Sequence, residues 1–244
     1  VPDFVAALIG TNTLQSGKIC DRAGSSEGIN FCMDENAKIK LENAMKNAAL
    51  AKKIPEIKKI RILPSIIPNL WNASVLIPNS GALFSDYKKK LEKQLGKPIE
   101  YNILVEECLS DKTSDGFKIM QELAEKTKNA IEILSKALDS STSFEAGKNF
   151  QNLGVANAFK AITITGGQAK SKAWVQMKAD TSGVNFNLCS LADSELLGDA
   201  VLGFTGLGKY KSIQEAADSI VKIKETFKPA EKTMGKLSRQ SKRT

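Results

Sequence analysis

Three short runs of this chain contain residues that could handle phosphate groups. Asp3 begins an apolar run, Gly24-Ser25-Ser26 lies in a small-residue turn, and Gly166-Gly167 directly follows a β-branched run. A carboxylate can accept the proton of a hydroxyl that attacks a phosphate. Glycine-rich turns let backbone N–H groups face an anion without an intervening Cβ. Their order, one carboxylate followed by two glycine turns, indicates nucleotide-dependent phosphoryl transfer.

Each run also has an ordinary structural interpretation, which the sequence leaves open. Asp3 precedes a helical run and is a favoured N-cap residue. The turn at 24–26 could be a plain hairpin connection, and Gly166-Gly167 could be an ordinary loop between a strand and a helix. Residues 166–171 match neither a Walker A loop nor the GxGxxG dinucleotide fingerprint.

The absence of histidine excludes several kinds of catalytic site. Ser-His-Asp and Cys-His nucleophiles, imidazole general bases and histidine-ligated metals all require that residue. Any catalysis would therefore use carboxylates, lysines, backbone amides and bound cations.

The cysteines exclude two more classes. There are four, with no CxxC pair, so neither a disulfide scaffold nor a zinc site is indicated. We expect ordinary buried thiols and a cytoplasmic protein.

Length and composition predict a globular chain without a membrane partner. The 244 residues are 42% apolar, and no apolar stretch approaches the roughly 20 residues that a membrane span needs. No apolar leader with basic flanks is present. Because the chain begins with Val and has no Met nearby, we expect a piece of a longer protein.

The net charge of +8 is concentrated at one end. Residues 232–244 contain five basic side chains and no acidic ones, without apolar periodicity. This pattern predicts a flexible, solvated basic tail at 231–244. A nucleic-acid-binding module using that tail is the less favoured alternative, because no aromatic platform for bases accompanies it.

The hydrophobic periodicity predicts an α/β fold. The strongest signal is a long amphipathic helix at 114–138, whose apolar residues recur at spacings of three and four. The other expected elements are a helix at 3–10, a hairpin of 17–20 with 28–32, weak helix within 34–59, a strand near 60–67, a helix at 82–95, strands at 161–165 and 184–188, and helices at 171–180, 194–207 and 212–224.

Taken together, the runs resemble the FGGY family of carbohydrate kinases, whose fold is shared with actin and the Hsp70 ATPase. The resemblance is strongest at residues 163–180 and continues through 195–203 and 206–210. Residues 3–10 are similar to the family's catalytic-aspartate segment, and residues 24–30 to its Gly-Thr-Ser phosphate loop, with Ser25 where threonine is usual.

The resemblance implies roles for individual residues. Asp3 would be the general base that deprotonates the sugar hydroxyl. The other implied residues would bind the nucleotide. The terminal phosphates would be contacted by Gly24, Ser25, Ser26 and, as a further glycine, Gly81. The adenine and ribose would face Gly166 and Gly167, with Gln168 and Ser171 at the edge. No protein metal ligand is implied within this chain.

The resemblance also implies an architecture. Residues 1–230 would form the family's C-terminal domain, a ribonuclease H-like, actin-like ATPase fold with a mixed sheet flanked by helices. The N-terminal sugar-binding domain would be absent. The activity would be transfer of the ATP γ-phosphate to a sugar or polyol hydroxyl, with Mg²⁺ as cofactor.

The missing N-terminal kinase domain would be the partner, and a homodimer stays open. Because such catalysis is shared across the cleft between domains, we expect the isolated chain to be inactive. The alternative is a non-catalytic nucleotide-binding relative of the same fold.

Overall fold

A computed structural model describes residues 1–142 and 161–230. The basic segment 231–244, to which a flexible tail was assigned, lies outside these residues. Among the helices in this part of the chain, none has both the length and the apolar character needed to cross a bilayer. All four cysteines are buried free thiols, as the sequence predicts.

A single seven-stranded mixed sheet forms the centre of the fold, in the order β3-β4-β2-β1-β5-β6-β7. Strands β1 and β2 form the expected antiparallel hairpin, and β1, β5 and β6 run parallel. The strands are β1 Ile19–Ala23, β2 Glu27–Asp34, β3 Ile60–Pro64, β4 Leu70–Ile77, β5 Ala161–Thr165, β6 Asn185–Cys189 and β7 Ile223–Phe227.

Helices cover both faces of this sheet, which confirms the predicted class of a mixed sheet flanked by helices. Short 3₁₀ turns lie at Pro55–Lys59 and Gly167–Lys170. The α-helices are α1 Asp3–Gly10, α2 Glu35–Lys46, α3 Ala48–Lys53, α4 Ser80–Leu95, α5 Tyr101–Ser110, α6 Asp115–Thr142, α7 Lys172–Ser182, α8 Ser194–Gly206 and α9 Ile213–Ile220.

The two faces of the sheet pack against different helices. The larger cluster joins inward-facing strand residues such as Ile29 and Ile164 to α6 and α7, for example at Ile131 and Val175. A second cluster packs α1, α8 and α9 together. Successive strand residues point to opposite faces of the sheet, so neighbouring residues of β1 face different layers of helices.

Three elements depart from the sequence-based predictions. Strand β4 was not predicted, because prolines flank it and its buried residues form a continuous run, without the alternation that indicates a strand. Helix α5 was also not predicted. The helix predicted at 212–224 was wrong at its end, since it stops at Ile220 and Ile223 then pairs with Cys189 to begin β7.

Candidate nucleotide site

The turn between β1 and β2 is fixed against the start of α4. The Gly81 N–H donates to the Gly24 carbonyl at 3.1 Å, and the Ala82 N–H donates to the Ser25 carbonyl at 3.1 Å. A Cβ added at Gly81 would lie 2.3 Å from the Gly24 oxygen. Glycine at position 81 is therefore required by the close approach of two backbones.

The second glycine turn contacts the first. Gly166 has a φ of +93°, and a Cβ added there would lie 2.7 Å from the Ala23 oxygen. The two turns meet because β1 and β5 are adjacent parallel strands, with Arg22 paired to Thr165 near their carboxyl ends. Ligands of open α/β sheets commonly bind beyond such strand ends.

A cavity of about 570 Å³ opens between the two turns, α4, α5 and α7. Gly167 leaves open space on this side, since no atom lies within 4 Å of where its Cβ would be. The cavity is lined by six of the residues named above for nucleotide binding: Gly24, Ser25, Gly81, Gly167, Gln168 and Ser171. Cavities of roughly 300–1,000 Å³ are typical of small-molecule sites.

Aromatic side chains form part of the cavity wall. Phe84 and Trp174 meet edge to face, with ring centroids 4.6 Å apart, and both line the cavity. Tyr101, at the start of α5, also lines it and is half exposed. Flat apolar surfaces of this kind suit a planar ring ligand.

Two predicted nucleotide residues, Ser26 and Gly166, are not among the described residues that line the cavity. Gly166 nevertheless lies close to the first turn, because a Cβ added at position 166 would be 3.1 Å from the Gly24 nitrogen. Their assigned roles stay predictions.

Asp3 is not among the described residues that line the cavity. It is exposed in the first turn of α1, one residue inside the cap position, and its carboxylate accepts the N–H of Phe4 at 2.6 Å. Helix α1 packs tightly on α8, since a Cβ at Gly10 would lie 1.6 Å from the Ser194 oxygen and one at Gly198 would lie 2.0 Å from the Ala6 oxygen. The role of Asp3 as general base stays a prediction.

Three charged side chains are fully buried directly behind the cavity. Lys178 donates to Asp21 at 2.8 Å and lies 3.0 Å from the carboxylate of Glu27. All three side chains have no solvent exposure. One cation between two carboxylates makes this cluster sensitive to protonation.

Burial affects the three groups differently because their partners differ. Burial and the neighbouring Glu27 raise the pKa of Asp21 to about 7. Burial also opposes ionisation of Glu27, but Lys178 and hydrogen bonds from Thr127 and Ser80 hold its pKa below the ordinary value. The pKa of Lys178 is raised, since the two carboxylates outweigh its own burial. Glu27 and Lys178 are thus an ion pair at neutral pH.

The sequence analysis missed this cluster. One signal was present: Lys178 occupies a buried position of α7, in register with the buried Trp174 and Val175. A lysine on an apolar helix face requires a buried carboxylate as partner.

The site suits an anionic ligand with a planar group better than it suits a metal bound by protein alone. In the described part of the chain, no group of three or more cysteine, aspartate or glutamate side chains is placed to hold a metal ion. Asp21 and Glu27 are already engaged with Lys178.

Comparisons with known proteins find similarity to kinases of small molecules. No family model matches the chain. It is 35% identical over 69 residues to xylulose kinase of Staphylococcus epidermidis, which is 28% of this chain and 14% of that protein. It is 27% identical over 99 residues to autoinducer-2 kinase of an Escherichia coli strain, 40% of this chain and 19% of that protein.

Solved structures show the same fold. Glycerol kinase of Plasmodium falciparum with ADP matches with a TM-score of 0.61 at 13% identity, and ligand-bound xylulose kinase of Lactobacillus acidophilus with a TM-score of 0.58 at 15% identity. Each match covers 93% of this chain and 46% of the solved chain. The chain thus spans about half the length of these enzymes.

Proposed function

Since this chain is related to the FGGY carbohydrate kinases and has their actin-like ATPase fold, we propose that it is the C-terminal, nucleotide-binding domain of an ATP-dependent sugar or polyol kinase. One observation supports this most: residues of both glycine turns recognised in the sequence line a single cavity, together with the start of α4. The domain would occupy residues 1–230, with 231–244 as a basic tail.

The phosphates of ATP would bind at the turn that begins with Gly24. Its small residues let an anion approach the backbone, and the hydroxyls of Ser25 and Ser26 can add donors. The N–H groups of Gly81 and Ala82 already bind the turn's carbonyls, so α4 supports this turn and those two amides are not free donors. The structurally similar glycerol kinase contains ADP, which is consistent with a nucleotide in this fold.

The adenine and ribose would lie on the opposite side of the cavity. Gly167 leaves room there, and the nearby aromatic wall offers apolar surface to a ring. Gln168 and Ser171 would lie at the edge of the bound nucleoside.

Magnesium would accompany the nucleotide in this proposal. Within residues 1–142 and 161–230, no cluster of three or more acidic or cysteine side chains is placed to hold the ion. The roles proposed for the residues of this chain do not require a metal ion held by protein ligands.

Asp3 would act as general base towards a hydroxyl of the sugar or polyol, which is held by the complementary N-terminal domain. Phosphoryl transfer depends on positioning and on neutralising charge across both domains. The isolated chain should therefore bind nucleotide without phosphorylating a sugar. In a protein that contains both domains, Asp3→Asn should abolish sugar phosphorylation and leave ATP affinity unchanged.

A matched titration tests the proposal. We expect calorimetry to show one ADP site on the wild-type chain, which Gly167→Leu weakens at least about tenfold by filling the cavity. Gly203→Leu is the control, because Gly203 is exposed on α8 with no atom within 4 Å of its Cβ position. Absence of ADP binding to the wild type would contradict the proposal. ATP binding without sugar-dependent turnover in the two-domain protein would favour the non-catalytic relative.

A further inference from the structure

Four side-chain donors converge on the buried carboxylate of Glu27. Its Oε1 accepts hydrogen bonds from Thr127 Oγ1 at 2.5 Å and Lys178 Nζ at 3.0 Å. Its Oε2 accepts from Ser80 Oγ at 2.7 Å and Gln168 Nε2 at 3.0 Å. A buried carboxylate with this many donors is held ionised and fixes the orientation of each donor.

Of the two partners of Oε2, one lines the cavity and the other is adjacent in sequence to a lining residue. Gln168 lines the cavity, and Ser80 immediately precedes Gly81, which also lines it. The Gln168 amide donates a second hydrogen bond to Ser80 Oγ at 2.9 Å, which closes a triangle of three side chains. Glu27 itself directly follows the turn at 24–26 and pairs with Ala23.

The partners of Oε1 belong to the interior instead. Thr127 lies on α6 and Lys178 on α7, both fully buried, and neither lines the cavity. The two oxygens of one carboxylate therefore have separate surroundings, one at the cavity wall and one in the core.

We propose that Glu27 is a positioning residue that sets the spacing between the phosphate-side turn and the nucleoside-side loop. This inference rests on the proposed function, since it assumes that the cavity between those segments binds a nucleotide. Through Oε2, the carboxylate holds the beginning of β2, the beginning of α4 and the side chain of Gln168 in one arrangement. Such preorganisation raises affinity because less ordering is required when the ligand binds.

Two substitutions that each remove one hydrogen bond from Glu27 separate positioning from simple stability. Ser80→Ala removes a bond at the cavity wall, and Thr127→Val removes one in the core without a change of shape. Both should lower the free energy of unfolding, because each removes a donor from a buried carboxylate. We expect Ser80→Ala to weaken ADP binding about tenfold, whereas Thr127→Val should leave it within about twofold of the wild type.

ADP affinity, measured by calorimetry on folded protein, is the deciding quantity. Wild-type affinity in Ser80→Ala would overturn the positioning role alone, as would equal losses of affinity in both variants. A wild-type chain that does not bind ADP would overturn the proposed function and this inference with it. If Ser80→Ala does not fold, Ser80→Cys takes its place with the same expected loss, since a thiol keeps the volume and donates only weakly.

Discussion

The side chains of Gln168 and Glu27, which are 141 positions apart in the chain, meet with Nε2 3.0 Å from Oε2. This hydrogen bond connects the loop after β5 to the end of the turn after β1. Both glycine turns of the cavity are therefore tied to one buried carboxylate.

Substitution by alanine should destabilise the fold at Gly166 but hardly affect it at Gly167. At Gly166 the φ of +93° and the 2.7 Å approach to the Ala23 oxygen leave no room for a Cβ. We expect Gly166→Ala to lower the free energy of unfolding by about 2–4 kcal/mol. Gly167→Ala should change it by less than about 0.5 kcal/mol. Chemical denaturation of the two variants compares them, and equal losses would contradict the backbone contact between the two turns.

The packing of α1 on α8 gives a second matched pair. Gly198→Ala would place a Cβ 2.0 Å from the Ala6 oxygen, whereas Gly203 on the same helix has no atom within 4 Å of its Cβ position. We expect Gly198→Ala to destabilise the fold by about 3 kcal/mol. Gly203→Ala should instead stabilise it by about 0.5–1 kcal/mol, because alanine favours the helix. Thermal unfolding distinguishes the two variants. A Gly198→Ala variant as stable as the wild type would show that the two helices do not pack in this way.

Lys178 should be far more important for stability than a surface lysine on the same helix. Lys178→Met leaves the carboxylates of Asp21 and Glu27 buried without a cation, which should cost about 3–5 kcal/mol. The control is Lys172→Met, whose ion pair with Glu225 is exposed and should contribute less than about 1 kcal/mol. Similar unfolding free energies for the two variants would mean that the buried cluster does not form.

Asp21 should make stability depend on pH. Its pKa is raised from 3.8 to about 7 by burial and by Glu27, so the folded protein keeps a proton that the unfolded chain loses between these values. On this account, stability falls as pH rises through that window and then levels off.

The asparagine variant isolates this effect. Asp21→Asn removes the titration, so its unfolding free energy should improve relative to the wild type between about pH 5 and pH 8, on the order of 2 kcal/mol. Urea titrations of both proteins at the two pH values measure the difference. If the difference in unfolding free energy between the two proteins is the same at both pH values, the pKa of Asp21 is not raised in the folded protein.

Several features of this fold could be predicted from the sequence because they depend on local pattern. The β1–β2 hairpin, the helix at 3–10 and the strand before Gly166 were all recognisable from turns and apolar periodicity. Strand β4 was not, since prolines flank it, although its place between β3 and β2 buries most of its residues.

The buried cluster illustrates what local pattern cannot show. Asp21 and Glu27 lie on the two strands of a hairpin, close to its turn, whereas Lys178 lies on a helix far away in the chain, so only the assembled fold brings all three together. The family resemblance implied that the two glycine turns would bind one nucleotide. It did not show that Glu27 and Lys178 form a buried ion pair behind these turns.

A crystal structure of the chain with ADP bound would show whether the cavity is a nucleotide site. We expect the phosphates at the turn formed by Gly24, Ser25 and Ser26, and the adenine beside Gly167 with Gln168 at its edge. ADP bound elsewhere, or an adenine turned away from Gly167, would contradict this expectation.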